Sequence, residues 1–165
     1  MDRRTALRIM SVTPFIGVLE WTTADMARAA THVDALAASH ADTPGAAPFE
    51  PQFFSEHEWR TVRILVDLII PADAKSGSAT DALVPEFMDF IMQDMPERQL
   101  PMRGGLACLD AECGRRFVGR DFLDCGDTER RAVLDDIAWP KTARPEHSHG
   151  TAWFTSFRDL TASGF

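Results

Sequence analysis

SEHEWRTVRILVDLIIP, residues 55–71, decides the fold class. Ser55 followed three residues later by Glu58 is a capping box. The hydroxyl accepts from the amide of Glu58, and the Glu58 carboxylate reaches back to the amide of Ser55. Trp59, Val62, Leu65, Val66 and Ile69 then recur at helical spacing. Pro71 stops the run, because its ring lacks a donor and clashes with the preceding turn. From Ile64 to Ile70 only Asp67 is not apolar, which predicts a helix covered on most sides and central to the fold.

Working towards the C-terminus, a loop covers Asp73 to Thr80. Pro85 sits in a first helical turn, with Phe87, Phe90, Ile91 and Met95 behind it. A third helix is predicted from Met102 to Gly114, with Leu106, Leu109 and Cys113 on one face. Gly104 and Gly105 weaken its first turn by about 1 kcal/mol each relative to Ala. Asp124 or Asp127 is the expected cap of a fourth helix through Val133, Leu134 and Ile137, closed by Trp139-Pro140. Lys141 to Gly150 reads as polar loop. A last helix starts at Thr151 and carries Trp153, Phe154, Phe157 and Leu160. There is no alternating strand pattern of useful length and no internal repeat. The fold class is all-α, a small bundle of four or five helices.

Working towards the N-terminus, residues 39–52 hold three prolines, a glycine and no helical period, the composition of a linker. The folded domain therefore covers 53–165. Before the linker, Thr22 to Ala38 forms an amphipathic helix with Thr22 as cap, Asp25 answering it, and Met26, Ala29, Ala30, Val33 and Leu36 on one face. Arg3, Arg4 and Arg8 make a basic start, and the order Arg3-Arg4-Thr5-Ala6-Leu7-Arg8 resembles a twin-arginine export signal. The apolar run Ile9 to Leu19 is too short to span a bilayer and fits a signal's apolar region. Small-residue cleavage motifs follow at Ala27-Arg28-Ala29 and Ala35-Leu36-Ala37. Residues 1–38 are thus an export signal with a helical arm. The other reading of the arginines is a basic cap on an ordinary helix.

Composition removes several functions. The 165 residues carry a formal net charge of −8, which opposes nucleic-acid binding and docking on anionic lipid. There are four Trp and eleven Phe but no Tyr, so the phenol that often serves as proton donor is missing. No dinucleotide fingerprint, phosphate-cradling glycine loop or nucleophile elbow is present. The adjacent carboxylates Asp135 and Asp136 point apart on a helix. His147-Ser148-His149 is the most metal-like cluster, with Glu146 beside it. Both rings ligate one ion only if the backbone there is extended, and further ligands must come from elsewhere.

The three cysteines form no CxxC, which gives no support to a zinc ribbon or an iron–sulfur signature. Cys108 and Cys113 on one helix have Cα atoms roughly 8–9 Å apart, beyond disulfide reach. A helical hairpin allows Cys125 to bridge either one. The other reading is three small buried apolar residues. These residues describe an acidic, exported helical domain without an active site of its own, more in keeping with a binding subunit than an enzyme.

Asp67-Leu68-Ile69-Ile70-Pro71-Ala72-Asp73 resembles the gluconate 2-dehydrogenase subunit 3 family. The resemblance continues through Gly77, Val84-Pro85-Glu86-Phe87-Met88-Asp89-Phe90, Gly105 to Glu112, and Phe157 to Phe165, which ends Leu160-Thr161-Ala162-Ser163-Gly164-Phe165. The pair Ile-Ile-Pro-x-Asp and Leu-Thr-x-x-Gly-Phe is specific in combination. Ser76-Gly77 replaces the family's Pro-Gly, and the cysteines lie outside the motif. The resemblance implies a noncatalytic small subunit that binds no cofactor itself. Its partners are a large flavoprotein of the glucose-methanol-choline type, which holds FAD and oxidises a sugar, sugar acid or glycoside, and a multihaem cytochrome c. It also implies periplasmic location at the inner membrane, through the complex, after twin-arginine export.

Physically, Ile69 and Ile70 are expected in the core, Pro71 ends the helix and Asp73 caps the next turn. Part of the loop Asp73 to Val84 and the segment with Trp153, Phe154, Phe157 and Phe165 are the expected partner surface. The same aromatics would otherwise close the core. The alternative function is a free-standing exported metal-binding protein or enzyme using His147 and His149.

Overall fold

The computed structural model describes residues 22–42 and 49–165. Arg3, Arg4, Leu7 and Arg8, and residues 43–48 of the Pro-rich segment, lie outside the described residues. Among those described there are six α-helices and no strand, so the all-α reading holds. They are α1 (Thr23–Asp42), α2 (Glu56–Ile69), α3 (Val84–Asp94), α4 (Gln99–Arg116), α5 (Asp127–Ala138) and α6 (Ser148–Gly164). Short 3-10 turns, Pro96–Arg98 and Pro145–His147, lead directly into α4 and α6. No helix among the described residues is long and apolar enough to cross a membrane.

The capping box of α2 is present: Ser55 Oγ accepts from the Glu58 amide at 3.3 Å and the Glu58 carboxylate accepts from the Ser55 amide at 2.8 Å. The helix ends at Ile69, just before Pro71. It is not the central helix, however. Thr61, Val62, Leu65 and Val66 are buried, while Ile64, Leu68, Ile69 and Ile70 are half-buried at the margin of the core. The central element is α3, with eight of eleven residues buried. Apolar content measures how much a helix wants to be covered, and the neighbouring elements decide whether it is. Here α1, α2 and α6 all pack on α3.

Helix α6 touches each of the other five helices. Phe154, Phe157 and Leu160 enter the core, and a Cβ on Gly164 would lie 2.7 Å from the Phe87 ring, so the helix end seats directly on α3. The helix begins at Ser148, three residues before the sequence-based start, because the 3-10 turn at Pro145–His147 supplies its first turn. Helix α4 extends from 102–114 to Gln99–Arg116 for the same reason, and Pro101 is tolerated where amides lack helical partners anyway.

The cap of α5 is neither Asp124 nor Asp127 but Gly126, whose amide donates to the Glu129 carboxylate at 2.8 Å. Asp127 is already helical, and the Asp124 amide is taken by Asp121 at 2.9 Å.

Helix α1 is a packed arm that runs four residues beyond Ala38. Thr22 Oγ1 accepts from the Asp25 amide at 3.2 Å. Ala29 is fully buried, Met26 and Val33 pack at the core margin, and His32 stacks on Phe90 with centroids 4.4 Å apart. Ala30 faces solvent rather than sharing the inner face. Arg28 pairs with Asp94 at 2.9 Å, tying the arm to the end of α3.

Candidate functional site

The residues of the Ile-Ile-Pro-x-Asp motif build a loop. Asp67 Oδ1 accepts from the Thr80 amide at 2.8 Å, and the Ile70 carbonyl accepts from the Ala79 amide at 3.0 Å. Asp73 Oδ1 accepts from the amides of Lys75 and Ser76 at 2.8 and 2.9 Å, so Asp73 does cap the turn after Pro71. Ser78 and Asp81 exchange amide bonds at 2.8 and 3.2 Å. A Cβ on Gly77 would meet the Asp81 Cβ at 2.8 Å, so this turn needs a glycine. The result is a short exposed apex at residues 71–75, stapled to the end of α2. Beside it, Ile69 and Ile70 are half-buried, not core as expected from sequence. Leu83 follows in the left-handed region at φ 58°, with Pro85 in the first turn of α3 and Phe87 fully packed.

A second feature lies between α4 and α6: a groove of about 470 Å³. Gly105 and Trp153 form its floor, with Met102, Cys108 and Phe157 beside them and Arg98 and His149 as its basic groups. The two glycines have distinct uses. A Cβ on Gly105 would lie 2.0 Å from the indole of Trp153, so this position lets the ring sit against the α4 backbone. A Cβ on Gly104 would meet nothing within 4 Å. The volume suits a small molecule or a partner's side chains. Most of the lining is apolar.

The aromatic segment is not buried uniformly. Phe154 and Phe157 close the core, Trp153 is half-buried in the groove, and Phe165 is 48% exposed. His147 belongs to the 3-10 turn and His149 to α6, so the extended backbone that joint ligation needs is absent. Among the described residues, no group of three or more His, Cys, Asp or Glu could hold a metal ion. The cysteines are free thiols: Cys113 and Cys125 are buried in the same core, and Cys108 is exposed.

Sequence reasoning missed two polar constructions. Asp89, fully buried, accepts from the amides of Gln52, Phe53 and Phe54 at 2.9, 2.9 and 3.1 Å and from the Gln93 side chain at 2.9 Å. It fastens the bent entry segment ahead of α2 to α3. Its only sequence signal is an acid among the apolar residues Phe87, Met88 and Phe90. In the second, His57 bonds Asp110 at 2.8 Å, and Asp110 also takes the Phe122 amide at 3.0 Å. This joins α2, α4 and the turn before α5.

The turn between α4 and α5 is ionic. Glu112, paired with Arg115 at 2.6 Å and with Arg116, has its carboxyl lowered to about 2 by hydrogen bonds from Arg115 and then Arg116. Arg116 also reaches Asp136, whose carboxyl is lowered by it. Arg120 pairs with Glu129, which is lowered by that pairing and by the Gly126 amide.

Comparison with curated proteins and with solved structures finds no match. The family model described as gluconate 2-dehydrogenase subunit 3 matches residues 56–165, from the first residue of α2 through α6 and the Gly164-Phe165 end. The chain therefore belongs to the gluconate 2-dehydrogenase subunit 3 family, as a small subunit of a dehydrogenase complex.

Proposed function

We propose that this chain is the noncatalytic escort and stabilising subunit of a periplasmic, FAD-dependent dehydrogenase acting on a sugar, sugar acid or glycoside. The observation that carries the reading is the family match across the whole α2–α6 body. The surface fits the role. The half-buried flank Ile64, Leu68, Ile69 and Ile70, the exposed apex beside it and the α4–α6 groove offer apolar area to a partner. In this reading the flavin and the oxidation belong to a large glucose-methanol-choline-type subunit. Haem c belongs to a cytochrome partner that passes electrons to the inner membrane. Gly104 and Gly105 give no phosphate cradle, since they lie within α4 with their amides in the helix.

Export by the twin-arginine route follows from the cofactor. FAD is inserted in the cytoplasm, so the flavoprotein crosses folded, carried by the signal at Arg3, Arg4, Leu7 and Arg8. Both small-residue cleavage motifs fall inside α1, where Ala29 is fully buried. This favours a signal that is retained or cut ahead of Thr22.

The test is a pull-down of the C-terminally tagged chain from the periplasm and membranes of its native host, with mass spectrometry and a visible spectrum. A yellow complex with a large flavoprotein is expected, lost from the periplasm when Arg3 and Arg4 become Lys. A colourless chain without partner, unaffected by those changes, overturns the proposal.

A further inference from the structure

Cys113 and Cys125 sit together in the core at the base of the α4–α5 hairpin, at 0% and 3% exposure. The bond from the Phe122 amide to Asp110 Oδ1, at 3.0 Å, joins the positions three residues before each cysteine and so brings the two buried thiols to the same part of the core. Eleven residues separate them, and the intervening turn is already fixed. Arg130 donates to the carbonyls of Phe122 and Leu123 at 2.9 and 2.8 Å, the Phe122 amide is held by Asp110, and Gly119 closes on the Gly114 carbonyl at 3.0 Å. Cys108 lies outside this arrangement, exposed at the groove five residues earlier on the same helix.

We infer that Cys113 and Cys125 are a built disulfide site, which closes when the chain meets a small or protein disulfide, and that Cys108 remains a free thiol. The step is thiol–disulfide exchange. The Cys125 thiolate attacks one sulfur of the donor disulfide, forms a mixed disulfide and expels the first donor thiolate. Cys113 gives its proton to water and attacks the Cys125 sulfur, expelling the second. The protein loses two hydrogens, and the donor is reduced to two thiols.

The packed reduced pair resists this. Burial and the neighbouring Cys125 push the Cys113 thiol up to about 12, so little thiolate forms while the hairpin is shut. Closure of the bridge therefore belongs to folding, or to opening of the turn at residues 117–126. Once formed, the bridge removes freedom from the opened hairpin. The chemistry does not rest on the export reading, which determines only whether the cell supplies the donor.

The test refolds the purified, reduced full chain in a buffer of reduced and oxidised glutathione, then titrates free thiols and maps linked peptides. The expected result is a fall from three reactive thiols in denaturant to one, loss of two hydrogens, and a Cys113–Cys125 linked peptide. Cys108→Ser leaves the linkage in place, and Cys125→Ser abolishes it. A natively helical product with three free thiols, or with Cys108 in the bridge, overturns the inference. Because the reaction runs on isolated protein, failure of the export proposal leaves this result unaffected.

Discussion

Two turns, the entry to α2 and the α4–α5 hairpin, have their chain ends held by carboxylates used in opposite ways. Where the chain enters α2 the holding group is Asp89, fully buried and met by three backbone amides and one side-chain amide. At the α4–α5 hairpin the holding groups are Glu112, Asp136 and Glu129, part-exposed and met by Arg115, Arg116 and Arg120. An interior carboxylate met by fixed N–H groups loses much when a partner goes, because each orphaned amide keeps its desolvation penalty. Surface pairs lose little individually, are screened by salt, and respond to pH. The first turn is therefore rigid and insensitive to medium, and the second is adjustable.

The sharpest way to break this contrast is Asp89→Ala. It strands the amides of Phe53 and Phe54 in the core, and we expect a loss of about 3 kcal/mol in urea unfolding, little changed between low and high salt. A loss below about 1 kcal/mol would mean that water replaces the carboxylate and the two turns do not differ.

A smaller effect separates the turns by pH. Glu112, Asp136 and Glu129 all titrate below their ordinary values when folded. Their contribution is complete above the unfolded carboxyl range and is lost as pH falls through the folded values, for Glu112 down to about 2. Unfolding free energy should thus decline from about pH 5 to about pH 2. Arg116→Met, which removes the cation from Asp136 and one of two from Glu112, should cost on the order of 1 kcal/mol at neutral pH and flatten the acid limb. An unchanged slope in the variant would take the hairpin pairs out of the account.

The smallest expected change has the opposite sign. Val118, 96% exposed, is held at φ 54° in the hairpin turn, a left-handed conformation unfavourable for a β-branched residue. Val118→Gly relieves that strain at the cost of a freer unfolded chain, so a net gain of up to about 1 kcal/mol is expected. A measured loss would show that the exposed valine is held by contacts not evident at the surface.

What the sequence made legible was local. The Ser55–Glu58 box, the stop at Pro71, Pro85 in the first turn of α3, and the buried face Leu106, Leu109 and Cys113 all depend on residues within a few positions of one another. What it concealed was relational. Gly126 caps α5 without a side chain, and only Glu129, three residues on, marks it. The donors to Asp89 lie 35 to 37 residues earlier, beyond any window of periodicity. The apolar run of α2 could not reveal that α3 would be the more enclosed helix. The groove was visible only as two glycines that weaken α4, and its reason is Trp153, some 48 residues away in the chain (153 − 105). The histidine pair at 147 and 149 drew attention by adjacency, whereas His57, hydrogen-bonded to Asp110 from another helix, carried no such local signal.

The reach of α6 across all five other helices has a consequence in time. During synthesis α3 leaves the ribosome about 70 residues before the end of α6 (164 − 94), an interval of roughly 4–14 s at ordinary elongation rates. Throughout that interval α3 lacks the packing of α6, including the seat of Gly164 on the Phe87 ring. Ribosome-held chains stopped at Arg144 should accordingly be cut rapidly by protease, whereas chains extended beyond Phe165 by an unstructured tether should resist; equal sensitivity would show that the earlier helices close without α6. The nascent chain thus has an obligatory open phase, a window in which a holding chaperone can engage it.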